Sequence, residues 1–149
     1  MSLQKKVMDA MKVAMKEKDS VALQSLRAVK SAILLAQTEE GASGELSEDQ
    51  ELKLLQKLVK QRKDSAAIYV EQGRDDLASP EIAEAEVISQ FLPAQMSEDE
   101  IAKVVDEIIA QTGASSMKDM GKVMGMANKA MAGRADGKTI SMLVKARLS

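Results

Sequence analysis

The strongest constraint on this chain is its punctuation. Helix-start and helix-stop signals recur around segments whose apolar residues repeat every three or four positions. Ser47 stands three residues before Gln50, and Ser97 three before Glu100. At that spacing a cap hydroxyl and a third-position amide or carboxylate satisfy each other's first-turn amides. Ser116 and Asp119 repeat the pattern. Gly73, Gly113 and Gly133 follow apolar runs at the place where a left-handed residue closes a helix.

These marks divide the chain into helical segments. Leu3 to Lys16 carries Leu3, Val7, Ala10, Met11, Ala14 and Met15 on one face. Asp19 or Ser20 caps a second helix, which runs to about Glu40 with Leu23, Leu26, Ala28, Ile33, Leu34 and Ala36 turned inward. Gly41 to Gly44 reads as a flexible break. A third helix passes through Leu52, Leu55, Leu58, Val59 and Ile68 to about Gln72. Pro80 marks the start of a fourth, and Pro93 ends it after Phe91 and Leu92. Three shorter helices follow, from Glu98 to Thr112, Met117 to Ala132 and Lys138 to Leu148.

The chain has one tyrosine, Tyr69, and one phenylalanine, Phe91, so its core must be Leu, Ile, Val, Ala and Met, which suits packed helices. The expected fold is all-α, with a larger N-terminal helical unit over 1–95 and a small C-terminal three-helix unit over 96–149. The junction is expected between Pro93 and Ser97.

There is no His and no Cys. Zinc sites built from those ligands, disulfides, thiol nucleophiles and the commonest general base are all excluded. No Gly-rich nucleotide loop occurs either, so no catalytic residue, metal or cofactor is expected. Ser2 to Lys18 is amphipathic with five lysines, unlike a secretory leader, and the longest apolar stretch is Ala32 to Ala36. A cytoplasmic protein without a membrane partner is expected.

Charge supplies the functional signal. Residues 117–149 hold seven Lys or Arg against Asp119 and Asp136, a net +5, while residues 1–116 hold fourteen basic and twenty-one acidic side chains, a net −7. A basic end on an acidic body points to a polyanion, most plausibly nucleic acid. At about 100° per residue, Lys118, Lys122, Gly125 and Lys129 share one helix face. Met117, Met120, Met124, Ala127 and Met131 fall opposite, as a packing stripe. Exposed Gly125 costs about 1 kcal/mol relative to Ala and leaves room for another backbone. Gly133-Arg134-Ala135-Asp136-Gly137-Lys138 follows, and helix-start amides there offer donors to a phosphate. The same turn also reads as a plain C-cap joined to an N-cap at Asp136.

Two other charged stretches read differently. Lys53, Lys57 and Lys60, with Arg62 and Lys63, are a solvated helix face whose neighbours Glu48, Asp49, Glu51 and Asp64 can pair with them. Between Arg74 and Lys103 lie eight acids and no base (Asp75, Asp76, Glu81, Glu84, Glu86, Glu98, Asp99 and Glu100), an acidic region that could dock a protein partner.

The run from Thr112 to Gly125 and the turn Gly133-Arg-Ala-Asp-Gly-Lys138 resemble the YqeY family, relatives of the C-terminal tail domain of GatB, a subunit of tRNA-dependent amidotransferases. Leu26-Arg27, Lys30-Ser-Ala32, Lys60-Gln-Arg-Lys-Asp-Ser65, Gly73-Arg-Asp-Asp-Leu77 and Phe91-Leu-Pro93 extend the resemblance along the full chain. It implies a two-part helical fold and a tail-like unit that helps hold tRNA. Carried onto this chain, the RNA-facing candidates are Lys118, Lys122, Gly125, Lys129, Gly133, Arg134 and Lys138. The catalytic domain of GatB is missing, and Asp136-Gly137 stands where the amidotransferase tail tends to have Asn-Pro. The leading expectation is a non-catalytic module for tRNA or a tRNA-like RNA. The alternatives are an accessory part of a glutamine-dependent amidotransferase, a carbon–nitrogen ligase, and a protein-interaction adaptor.

Overall fold

The computed structural model describes residues 2–39 and 45–149, so the expected break at Gly41 to Gly44 lies outside the described residues. The protein is all-α. The helices are α1 (Leu3–Glu17), α2 (Ser20–Glu39), α3 (Glu48–Glu71), α4 (Asp75–Ser89), α5 (Glu98–Thr112), α6 (Met120–Ala130) and α7 (Gly137–Leu148), with a 3-10 turn at Met117–Asp119 before α6. The chain divides into two compact units, Met1–Leu92 and Pro93–Ser149.

In the first unit α1 and α4 pack on α2, and α3 packs along α4. The core is aliphatic: Leu3, Val7 and Ala14 from α1, Leu26, Val29 and Ile33 from α2, Leu55, Leu58 and Val59 from α3, Ala85 and Ile88 from α4. Ser25 is buried among them, and its hydroxyl donates to the Val21 carbonyl at 2.8 Å, which removes the penalty for burying it. Arg62 bridges α3 and α4. Its Nη1 donates to the Leu58 carbonyl at 3.1 Å, while Nε stands 3.4 Å from a Glu84 carboxylate oxygen as an ion pair without hydrogen-bond geometry.

Several expected inward residues are exposed. Ser25, Leu26, Val29 and Ile33 form the inward seam of α2 and leave Leu34 at 46% exposure, about 80° round the helix from Leu26. Met15 and Ile68 are likewise exposed. Pro80 does not start α4 but lies inside it. The helix begins five residues earlier, where Asp75 and Asp76 place negative charge in the first turn and the Arg74 carbonyl accepts from Leu77 and Ala78. Pro80 is the sixth residue of the helix, so the Asp76 carbonyl goes without its helical donor. The α1–α2 corner turns on Lys18 at φ 56° with no glycine, and Asp19 caps α2 by accepting from the Ala22 amide at 3.0 Å.

The second unit packs α5, α6 and α7 against one another around Ile101, Val105, Ile108, Val123, Ala127, Met131, Ala135, Ile140, Val144 and Leu148. Both expected capping boxes form. The Ser47 amide donates to Gln50 Oε1 at 2.8 Å and the Ser97 amide to Glu100 Oε1 at 3.1 Å, each with the reciprocal bond at 3.2 Å. Bonding with Ser97, first through its backbone amide, holds the Glu100 carboxyl below the usual glutamate range.

Two measurements check this packing. Leu26→Ala is expected to cost about 2–5 kcal/mol in denaturant unfolding, and Leu34→Ala less than about 1 kcal/mol. A glutamate pKa depressed by folding adds stability above its ordinary value of 4.5 that is lost as pH falls through the folded value. Gln at position 100 keeps the cap but not the charge, as Gln50 does in α3. The stability difference between wild type and Glu100→Gln is therefore expected to be full at pH 7 and to shrink as the pH falls below 4.5.

Candidate nucleic-acid interface

The segment entering α6 is tighter than an α-helix. Ser116 Oγ accepts from the Lys118 amide at 3.4 Å, and the Ser115 amide donates to Asp119 Oδ2 at 3.1 Å. Lys118 therefore sits on a 3-10 turn, and the α-helical step expected to carry it onto the face of Lys122 does not apply there. Within α6, Lys122, Gly125 and Lys129 lie within an arc of about 60°, and all three are exposed. The opposite side meets the core through Val123 and Ala127, each fully buried, with Met120 and Met124 packed beside them. The expected methionine stripe is thus only partial. Met117 is exposed on the preceding turn, and Met131 is buried beyond the end of α6.

Residues 131–136 form a clamped turn. Gly133 is buried at φ 75°, a backbone angle that disfavours any side chain. Its carbonyl accepts from Gln95 Nε2 at 2.8 Å. The Arg134 carbonyl accepts from the Met96 amide at 2.9 Å, and Arg134 Nε donates to the Ala94 carbonyl at 3.1 Å. Gln95 Nε2 also reaches the Pro93 carbonyl at 2.8 Å. The connector before α5 therefore fixes the turn between α6 and α7 and fixes the stem of the Arg134 guanidinium. Nothing in the sequence spacing marked Gln95 for this, because its partners lie 38 and 2 residues away.

Asp136 caps α7, with Oδ1 accepting from the Lys138 amide at 3.3 Å and its carbonyl from Ile140 at 3.1 Å. A carboxylate at this helix start opposes the expected phosphate seat on the α7 amides. The Asp136 cap fits the cap-to-cap alternative, and the turn also carries Arg134 and Lys138 as exposed side-chain cations.

Those cations are available. Lys118, Lys122, Lys129, Arg134 and Lys138 are all exposed. None of them is ion-paired among the described residues, where the pairs are Arg62–Glu84, Arg74–Asp76 and Arg147–Asp106. Asp119 and Asp136 are occupied with backbone amides. Arg134 has Glu100 in its vicinity, where it makes the smallest contribution to lowering the Glu100 pKa.

The α3 lysines form the solvated face expected of them. Lys53, Lys57, Lys60 and Lys63 are exposed but form no ion pair with the neighbouring acids among the described residues. The acids of 75–100 are distributed over two helix starts and the body of α4. Asp76 is held by Arg74 at 3.0 Å, which lowers its pKa, and Glu84 by Arg62, while Glu98, Asp99 and Glu100 occupy the first turn of α5. Among the described residues there is no cluster of His, Cys, Asp or Glu suited to a metal ion, and no helix is long and apolar enough to cross a membrane.

Comparison with known proteins places this geometry in a family. The chain is 34% identical over 122 residues to altered inheritance of mitochondria protein 41, mitochondrial, of Meyerozyma guilliermondii, a match covering 78% of this chain and 61% of the relative. The protein of that name in Clavispora lusitaniae is 37% identical over 82 residues, 55% of this chain and 46% of the relative. A glutamyl-tRNA(Gln) amidotransferase component of Thermococcus gammatolerans, its E subunit, is 36% identical over 73 residues, 46% of this chain and 12% of the relative. The chain thus spans less than two thirds of the length of each of these relatives. The family model for Yqey-like proteins matches residues 4–148, nearly the whole of both helical units, and the chain belongs to the YqeY family.

Proposed function

We propose that the C-terminal unit is a non-catalytic module that binds folded RNA, tRNA or a tRNA-like structure, through phosphates met by Lys118, Lys122, Lys129, Arg134 and Lys138. The observation that carries this reading is the exposure of these five cations with no carboxylate paired to them among the described residues. The similarity to an amidotransferase component named for glutamyl-tRNA(Gln) supports tRNA as the class of RNA. With Tyr69 and Phe91 the only aromatics, stacking on single-stranded bases has little to work with, and contacts to the backbone and shape of a folded RNA remain. Gly125 supports the same reading. A Cβ there would meet nothing within 4 Å, so packing does not require a glycine, and its bare backbone leaves room for a close approach. A cytoplasmic location belongs to this reading, with the mitochondrial names of the two fungal relatives pointing to an organelle for their own chains.

The match to the Thermococcus amidotransferase favours one refinement, in which the protein is an accessory to a glutamine-dependent amidotransferase whose other chains supply the chemistry. Amide transfer that depends on adding this chain to such a complex, with none from this chain by itself, distinguishes that role from simple RNA binding.

Titration of fluorescent tRNA at several salt concentrations tests the proposal. With five phosphate contacts the plot of log K against log salt is expected to slope at about −3.5 to −4.5, and Lys122→Glu with Lys129→Glu to flatten it by about 2. Gly125→Ala is expected to stabilise the fold by up to about 1 kcal/mol, and Gly125→Glu to weaken RNA binding without unfolding the unit. No binding at low salt, or binding indifferent to the double reversal, removes this reading.

A further inference from the structure

The N-terminal unit carries a trough that its own core does not fill. α1 and α4 both pack on α2, with little direct contact between them, and the space left over α2 has a volume of about 730 Å³. Its floor is small or deeply buried: Ala10 and Ala14 of α1, Ala22 and Leu26 of α2, Ala83 of α4. Exposed Val13 and Val21 and half-buried Val87 make its apolar walls. Alanines on the floor allow a second backbone to approach closely, and a gap between two helices lying on a third is the position a further bundle helix would take.

The rim has a single sign of charge. Glu17, Asp19 and Glu86 line the trough, and no lysine or arginine does. Lys16 and Lys18 stand at the α1–α2 corner outside the lining. Glu17 ends α1 and Gln90 caps the end of α4, so two helix C-termini, which carry partial negative charge, border the trough. The one helix start here, that of α2, is covered by the Asp19 carboxylate. An apolar floor under an acidic rim complements an apolar stripe flanked by cations.

We propose that this trough docks an amphipathic helix of a partner protein, its apolar face on the alanine floor and its Lys or Arg flanks against Glu17, Asp19 and Glu86. The site is separate in residues and in charge from the RNA reading of the C-terminal unit and does not depend on it. Docking is by apolar burial, with the charges selecting the partner.

The test uses the full chain, labelled with 15N, and two designed helical peptides of about 18 residues. Both carry one Leu/Ala face, flanked by Lys in one and by Glu in the other. The Lys-flanked peptide is expected to bind about tenfold or more tightly than the Glu-flanked one, with amide shifts confined to the second half of α1, the start of α2 and the second half of α4. Glu17→Lys with Glu86→Lys alters only exposed side chains and is expected to reverse the preference, while circular dichroism confirms retained helicity. No binding of either peptide, equal affinity for the two, or shifts elsewhere in the chain overturns the proposal.

Discussion

The turn from α6 to α7 is held by the connector that precedes α5, and the candidate surface depends on that arrangement. A buried glycine with left-handed backbone leaves its carbonyl pointing away from helical partners, and a buried carbonyl without a donor is costly. Gln95 supplies that donor, and the Met96 amide does the same for Arg134. These bonds set where α7 starts relative to α6 and hold Arg134 by its Nε, so its terminal nitrogens are left for other contacts. A loosened turn would let Arg134 and Lys138 wander relative to Lys122 and Lys129, and the charge would no longer be arranged.

Charge arrangement matters because the balance of energies on this surface is lopsided. Exposed ion pairs are worth about 0–1 kcal/mol, so fold stability gains little from pairing surface lysines and loses little from leaving them bare. Surface cations without an ion pair are therefore cheap to keep, and toward a polyanion each neutralised phosphate would release counterions. In the C-terminal unit the nearby acids are spent on backbone amides: Asp119 on Ser115, Asp136 on Lys138, Glu100 on Ser97. Helix capping and cation availability are thus linked, since these acids turn their carboxylates to backbone amides and form no ion pair with the five cations among the described residues.

Local chemistry made much of this legible in the sequence. The Ser47–Gln50 and Ser97–Glu100 boxes and the glycine stops read correctly because each is decided within four residues. Pro80 misled because proline favours the first helical position, whereas here it is the sixth residue, and the acidic pair upstream was the stronger start signal. Leu34, Met15 and Met117 misled because apolar residues are common on surfaces, and periodicity fixes an inward face only where the stripe is unambiguous. Lys118 was placed by an α-helical step across a 3-10 turn, a distinction that residue types do not carry. Gln95 and the bridge from Arg62 to Glu84 were out of reach, since both depend on elements brought together by tertiary packing.

Lysine-reactivity footprinting tests the central claim most directly, because it asks each ammonium group whether RNA covers it. The unlabelled full chain is acetylated briefly with and without tRNA at low salt, and modification is read by mass spectrometry. The account predicts protection of Lys122, Lys129 and Lys138, while Lys53, Lys57 and Lys60, also exposed and also without an ion pair among the described residues, stay reactive. Uniform reactivity, or protection centred on the α3 lysines, would contradict it.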